Sequence, residues 1–271
     1  MSKRRRLLGL AILLAEILSG RGIVPAGGGL LGARGAQAAG SPVVGRLTWF
    51  GQSCFLLETT TGTRILMDPI AKGIGYPLPA PLKVDAVTIS HEHADHNNLG
   101  LVSGRPKVLR GLTPDKKGWT RVDEKVKDVA VRSIAVYHDD NRGARRGLDT
   151  VFLFEVAGMR IAHLGDLGHM LTDDQLSAIG AVDVVLIPVG GTFTLDAHQA
   201  SRVVDQLHPR LLVIPMHYKT DAVSAPELAG LEPVDSFLAG KPNVHREVGN
   251  TIALTPLKGR PGTEVIVVGY K

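Results

Sequence analysis

Thr88-Ile89-Ser90-His91-Glu92-His93-Ala94-Asp95-His96-Asn97 packs three histidines and two carboxylates into the six residues His91–His96, directly after the largely apolar run Val84–Ile89. That run reads as a buried strand, so the polar cluster falls on the loop leaving its C-terminal end, where open sheets usually build their sites. Side chains two apart on extended backbone point to the same side, so His91 and His93 can grip one metal ion. Once the chain turns, Asp95 and His96 can face a second. Imidazole with carboxylate is a ligand set suited to zinc, manganese or ferrous iron.

The spacing His-x-His-x-Asp-His resembles the defining motif of the metallo-β-lactamase superfamily. The resemblance implies an α/β fold: a single-domain, four-layer αββα sandwich of two mixed sheets, with the metals at one edge. It also implies further ligands, and each has a counterpart after a β-like apolar run. His138 follows Val129–Tyr137, Asp166 follows Met159–Ile161 in His163-Leu164-Gly165-Asp166, and His217 follows Leu211–Met216. On that reading His91, His93 and His138 bind one divalent ion, Asp95, His96 and His217 bind the other, and Asp166 bridges them. Zinc is the first expectation for both, with manganese or iron admitted. Asp68, in Arg64-Ile65-Leu66-Met67-Asp68-Pro69, matches a family aspartate that orients the metal loop without binding metal. His163 either orients the Asp166 carboxylate or caps its strand.

Within the superfamily the chain looks like the branch that includes the ascorbate-phosphate lactonase and the N-acyl-phosphatidylethanolamine phospholipase D. That likeness rests on Thr48-Trp49-Phe50-Gly51-Gln52-Ser53-Cys54-Phe55, Ala162-His163-Leu164-Gly165-Asp166 and Pro188-Val189-Gly190-Gly191. Many relatives of that branch carry histidine where this chain has Gln52, and an amide cannot shuttle protons.

The implied activity is hydrolysis of a small ester, lactone or phosphodiester by hydroxide bridging two metals, with Asp95 and Asp166 as the carboxylates at the reacting centre. No Ser or Cys nucleophile is needed, and no Gly-x-Ser-x-Gly elbow is present. The same fold also admits redox chemistry on iron and non-catalytic metal or ligand binding. The basic loop Asn141–Arg146 is either a solvated turn or a wall that favours an anionic substrate. Gly190–Thr194 and Tyr218-Lys219 are further candidate walls. His169, His198, His208 and His245 read as surface or bland positions.

The N-terminus carries Lys3-Arg4-Arg5-Arg6, a short apolar run Leu7–Ala15 and a small-x-small site ending at Ala38, which together resemble a twin-arginine export signal over residues 1–38. Its apolar run is shorter than the ~20 residues that a bilayer span needs. The expected product is a periplasmic or extracellular domain over 39–271 with no transmembrane span. The formal net charge of +5 belongs to the leader, which leaves 25 basic against 25 acidic residues. A neutral body carries no electrostatic footprint for nucleic acid, so the expected partner is a small molecule. Composition leaves the oligomeric state open. The single cysteine, Cys54, rules out an intramolecular disulfide and reads as a buried apolar residue.

Strand patterns extend over 45–50, 53–58 and 64–68, which look like an opening meander, and over 84–90, 107–109, 129–137, 150–155, 159–163, 182–188, 211–216, 251–254 and 264–268. Helices are expected at Asp174–Ile179, at Ala197–Leu207 behind an Asp196 cap, and at Pro226–Leu231.

Overall fold

Gly45–Trp49, Phe55–Thr59 and Arg64–Met67 form the expected antiparallel meander, and they become the centre of a six-stranded sheet. Thr251–Leu254 borders it on one side, while Ala86–Ile89 and Lys107–Arg110 extend it in parallel on the other. This computed structural model describes residues 42–256 and 262–270, so the leader assigned to 1–38 lies outside the described residues.

The second sheet has eight strands, in the order Val244–Arg246, Glu264–Val267, Leu212–Met216, Val184–Pro188, Met159–His163, Leu148–Val156, Val129–Tyr137 and Asp123–Val126. The first five are mutually parallel, and the last three run antiparallel to their neighbours. Val184–Pro188 and Leu212–Met216 are buried along their whole length, as parallel strands covered on both faces must be. Pro215 lies inside the second of these. The N–H it lacks would face the Glu264–Val267 side, and the ladder to that strand ends at Val213.

The inner faces of the two sheets share one core that includes Leu47, Phe55, Leu57, Ile65, Phe152, Phe154 and Ile161. Burying side chains of this size contributes roughly 1.5–3 kcal/mol each. Asp173–Ile179 packs on Val129–Tyr137 and Ala197–Leu207 on Val184–Pro188, which gives the α/β sandwich its outer helices. Both helices open with a reciprocal capping box, Thr172 with Gln175 and Asp196 with Gln199.

The structure departs from these expectations in a few places. Pro226–Leu231 is one 3₁₀ turn, Pro226–Leu228, because too few residues follow Pro226 to propagate a helix. The edge strands Asp123–Val126 and Val244–Arg246 and the short helix Asp235–Leu238 were not expected. Both strands are charged and mostly solvent-facing, so neither shows an apolar alternation. No helix of the described residues is long and apolar enough to cross a membrane.

Candidate metal centre

Strand direction decides what meets at the sandwich edge. Val129–Tyr137 is related to Met159–His163 through two antiparallel pairings, so both strands point the same way, as does Leu212–Met216. Their C-terminal ends deliver His138, Asp166 and His217 to one edge. In the other sheet, the parallel neighbours Arg64–Met67 and Ala86–Ile89 deliver Asp68 and the His91–His96 loop. Asp68 and His217 both take positive φ, +42° and +50°, as the chain turns out of its strand.

All seven sequence-chosen ligand candidates converge there. The Asp166 Oδ2 atom lies 3.2 Å from His96 Nε2, 3.3 Å from His138 Nε2, 3.4 Å from His217 Nε2 and 3.9 Å from His91 Nε2. Asp95 Oδ2 stands 3.4 Å from His96 Nε2 and 3.7 Å from His217 Nε2. His91 Nε2 and His93 Nδ1 are 3.0 Å apart. Nitrogens bound tetrahedrally at ~2.0–2.1 Å would sit about 3.3 Å apart, so a small closure of the pair is all that a shared ion would relax. Two triads have ligand atoms mutually within 4.8 Å: His91 with His93 and His138, and Asp95 with His96 and His217. His93 is exposed and Asp95 half-buried, while the other five are buried. The centre therefore opens to solvent over His93 and Asp95.

A layer of acceptors fixes the ring orientations. Asp68 accepts the Ser90 N–H at 2.8 Å, the Ser90 hydroxyl at 2.5 Å and His96 Nδ1–H at 3.0 Å, which turns His96 Nε2 inward. Ser90 Oγ lies 2.9 Å from His91 Nδ1 and aims His91 Nε2 at the centre in the same way. His163 does not touch Asp166. It donates from Nε2 to Ser53 O at 2.8 Å and accepts the Gly165 N–H on Nδ1 at 3.2 Å. Ser53 in turn donates its hydroxyl to Asp166 Oδ1 at 3.3 Å. His163 thus holds both segments that frame the Asp166 carboxylate, which goes beyond capping a strand.

Sequence reasoning missed Ser53, Ser90 and, most of all, Asp149. This fully buried carboxylate lies 3.3 Å from His91 Nδ1, and neither of its oxygens has a well-formed hydrogen bond among the described residues. The signal for it is an aspartate placed where Leu148–Val156 is otherwise apolar, since buried carboxylates are rare without a task. Gly165 makes room for it: a Cβ there would come within 2.6 Å of Asp149 Oδ1, and its φ is +54°.

The electrostatics suit cations. Burial, reinforced by His96 and His138, pushes His91 down to about 3, and desolvation together with His91 and His138 pushes His93 down to about 4. Both rings are therefore neutral, the state in which imidazole binds metal. Burial opposes charge on His96, but Asp166, Asp95 and Asp68 outweigh it and raise its pKa well above the usual histidine value. Burial would likewise raise Asp166 and Asp95. His217 and His96 on Asp166, and His96 and His217 on Asp95, hold both carboxyls far below their ordinary range. Burial lifts Asp149 to about 7, with Asp166 and Asp68 adding to it against the pull of His138. Among the described residues these four carboxylates have only histidines as ion partners, and His96 Nε2 and His217 Nε2 lack hydrogen-bond partners. Neutral His91 and His93, and carboxylates whose only counter-charges are histidines that a cation can replace, are a donor set that fits divalent ions.

Other candidates fall elsewhere. Gly190 serves a close approach to His217 O, which a Cβ would meet at 2.2 Å, rather than an approach to a ligand. Tyr218 is buried against Trp49, their ring centroids 5.4 Å apart. Gln52 is fully buried; its carbonyl accepts from Trp49 Nε1 at 2.8 Å and from the His217 N–H at 3.3 Å. His169 is structural, accepting the Tyr137 N–H at 3.1 Å, while His198, His208 and His245 are exposed.

A beta-lactamase superfamily domain model matches residues 46–217, the span from the first strand to the last ligand candidate. A UPF0173 metal-dependent hydrolase of Anaeromyxobacter sp. (strain K) is 31% identical over 242 residues, covering 76% of this chain and 86% of that protein. A UPF0173 protein of Pyrococcus furiosus is 31% identical over 201 residues, covering 67% of this chain and 87% of that protein. A crystal structure from Thermotoga maritima, of a candidate Zn-dependent hydrolase of the metallo-beta-lactamase superfamily, superposes with a TM-score of 0.64 at 35% identity, covering 83% of this chain and 99% of that one. Shared sequence over most of the sandwich, with histidines and aspartates gathered at its edge, shows that the chain belongs to the metallo-β-lactamase superfamily and is a metal-dependent hydrolase.

Proposed function

We propose that this hydrolase works at a centre of two divalent ions and cleaves a small ester, lactone or phosphodiester after export from the cytoplasm. The observation that carries the reading is the single oxygen Asp166 Oδ2, which lies within 3.2–3.9 Å of four imidazole Nε2 atoms drawn from both sheets. A carboxylate so placed suits a bridge between two ions. His91, His93 and His138 would hold one ion and Asp95, His96 and His217 the other; zinc is the first choice, as in the description of the Thermotoga maritima protein.

Two ions a few ångströms apart would lower the pKa of a water between them and polarise the electrophile. The chain's own residues supply the rest. Asp68 and Ser90 engage Nδ1 of His96 and His91, so each ring would turn its Nε2 toward a bound ion. Ser53 and His163 set the Asp166 carboxylate against rotation. Asp95, half-buried, is the more exposed of the two candidate carboxylate ligands. Cys54 takes no part: it is fully buried, and burial pushes its thiol up to about 12. The leader of residues 1–38 supports the export half of the reading through its Arg-Arg pair and its small-residue end.

The test is metal content by plasma mass spectrometry on untagged protein, paired with turnover of chromogenic esters, lactones and phosphodiesters. The expected result is close to two zinc or manganese ions per chain, with turnover lost in His91→Ala and Asp166→Ala. Unchanged turnover in either variant, or no metal after reconstitution, would overturn it. Iron in place of zinc would turn the search to redox substrates.

A further inference from the structure

Two clefts adjoin the metal centre, and Arg146 lines both. One, of about 190 Å³, is walled by His91, His93, Lys116 and Arg146. The other, of about 350 Å³, runs from His138 past Arg146 to Phe193 and Thr194. Arg146 is built into place rather than left in solvent. The Asp139 carboxylate gathers its loop by accepting the backbone N–H groups of Asn141 (2.8 Å), Gly143 (2.9 Å), Arg145 (2.9 Å) and Arg146 (2.7 Å). The guanidinium then lies over the Phe193 ring, with Cζ 4.8 Å from the centroid, and donates one N–H to Thr192 O at 2.8 Å. That single bond leaves most of its fork of donors uncommitted.

The nearby acids are already engaged. Asp139 is saturated by the loop's own backbone, and Asp140 pairs with Arg145 at 3.5 Å. Glu92, on the first cleft, is bonded by Arg110 and by Asn97 at 3.1 Å. Lys116 feels Glu92 at longer range but forms no ion pair with it. It sits in a turn closed by its own N–H to Thr113 O at 2.8 Å and by the Thr113 N–H to Gly118 O at 2.9 Å. Among the described residues, neither Arg146 nor Lys116 has a carboxylate partner.

We propose that Arg146 and Lys116 form a seat for a compact oxyanion, a phosphate or carboxylate carried by the substrate, beside the His91–His93–His138 half of the centre. This rests on the reading of that centre as the place of reaction. Arg146 presents a planar fork that matches either oxyanion, and Lys116 adds a point charge across the smaller cleft. The substrate is then an anionic ester, lactone or phosphodiester whose charged group anchors it while the scissile bond lies over His93 and Asp95.

Calorimetric titration of the metal-loaded full chain with inorganic phosphate, and separately with succinate, tests the seat without requiring turnover. The same titrations are run on Arg146→Ala, Arg146→Lys and Lys116→Ala. Affinity for at least one anion should fall roughly tenfold in Arg146→Ala, recover in part in Arg146→Lys, and fall several-fold in Lys116→Ala. Metal content and Tm should stay at the wild-type values. The tighter of the two anions names the group the substrate bears. Equal affinity in all variants would assign the anion to the metal ions alone and overturn the proposal, as would wild-type protein that binds neither anion. Arg146-dependent binding in a protein that turns over no ester, lactone or phosphodiester would refute the hydrolytic reading and leave the seat standing.

Discussion

The Asp149 carboxylate lies 3.3 Å from His91 Nδ1, behind the ring and away from the atom that faces the centre. Burial lifts its pKa to about 7 where histidines are its only counter-charges. A cation on His91 Nε2 would favour the ionised form and tighten the contact. Asp149→Asn is expected to lower metal affinity about 10- to 100-fold, the usual cost of losing a carboxylate behind a ligating histidine. Competition with a chromogenic chelator measures it, and unchanged affinity would assign the contact no role.

Gly165→Ala places a methyl 2.6 Å from Asp149 Oδ1 and 2.9 Å from Ser90 Cβ, on a backbone with φ of +54°. Overpacking of this kind costs about 1–3 kcal/mol. Thermal unfolding should show a Tm lower by several degrees, with weaker metal retention, and a Tm equal to wild type would contradict the packing described.

The carboxylate of Asp128, at the hairpin between Asp123–Val126 and Val129–Tyr137, accepts hydroxyls from Thr61 at 2.6 Å, Thr59 at 3.4 Å and Thr63. It clasps the second sheet to a turn of the first. Partial burial would raise its pKa, yet these hydroxyls outweigh that and hold it below the usual carboxylate value. A depressed folded pKa gives stability that is present above the unfolded pKa of about 3.9 and is lost as pH falls through the folded value. Asp128→Ala should therefore cost about 1 kcal/mol at neutral pH, kept small by solvent around an exposed group, and nearly nothing in strong acid. Urea unfolding at both pH values checks the difference.

Cys54 should resist alkylation in the native state. It is fully buried and its thiol is pushed up to about 12, so iodoacetamide should label it only in denaturant. Prompt labelling of the native protein would show an opening near the centre.

His91, His93, Asp95 and His96 were legible because they are neighbours in sequence. His138, Asp166 and His217 were legible because each ends an apolar run, and strand ends are where sheets gather side chains. Asp149 and Ser53 were not, since their partners lie 58 and 113 residues away and only the pairing of strands brings them close. Arg145 and Arg146 are adjacent and chemically alike in sequence. The turn bound by Asp139 sends one to Asp140 and the other over Phe193, and no pattern of charges distinguishes them. The edge strands were missed for a related reason: their residues answer to solvent on one side and carry no apolar rhythm.

The convergence of strand ends from both sheets has a consequence for assembly. No stretch of this chain holds either set of three candidate ligands by itself, so the centre comes into being only when the two sheets have docked. An ion bound there would grip the finished sandwich far more tightly than the His91–His96 stretch alone, so most of its binding energy would oppose unfolding. Chelation should then lower Tm in proportion to the logarithm of the free metal concentration. A chain still being made would pass through the cell chemically silent, and reactivity would arrive with its last long-range contact.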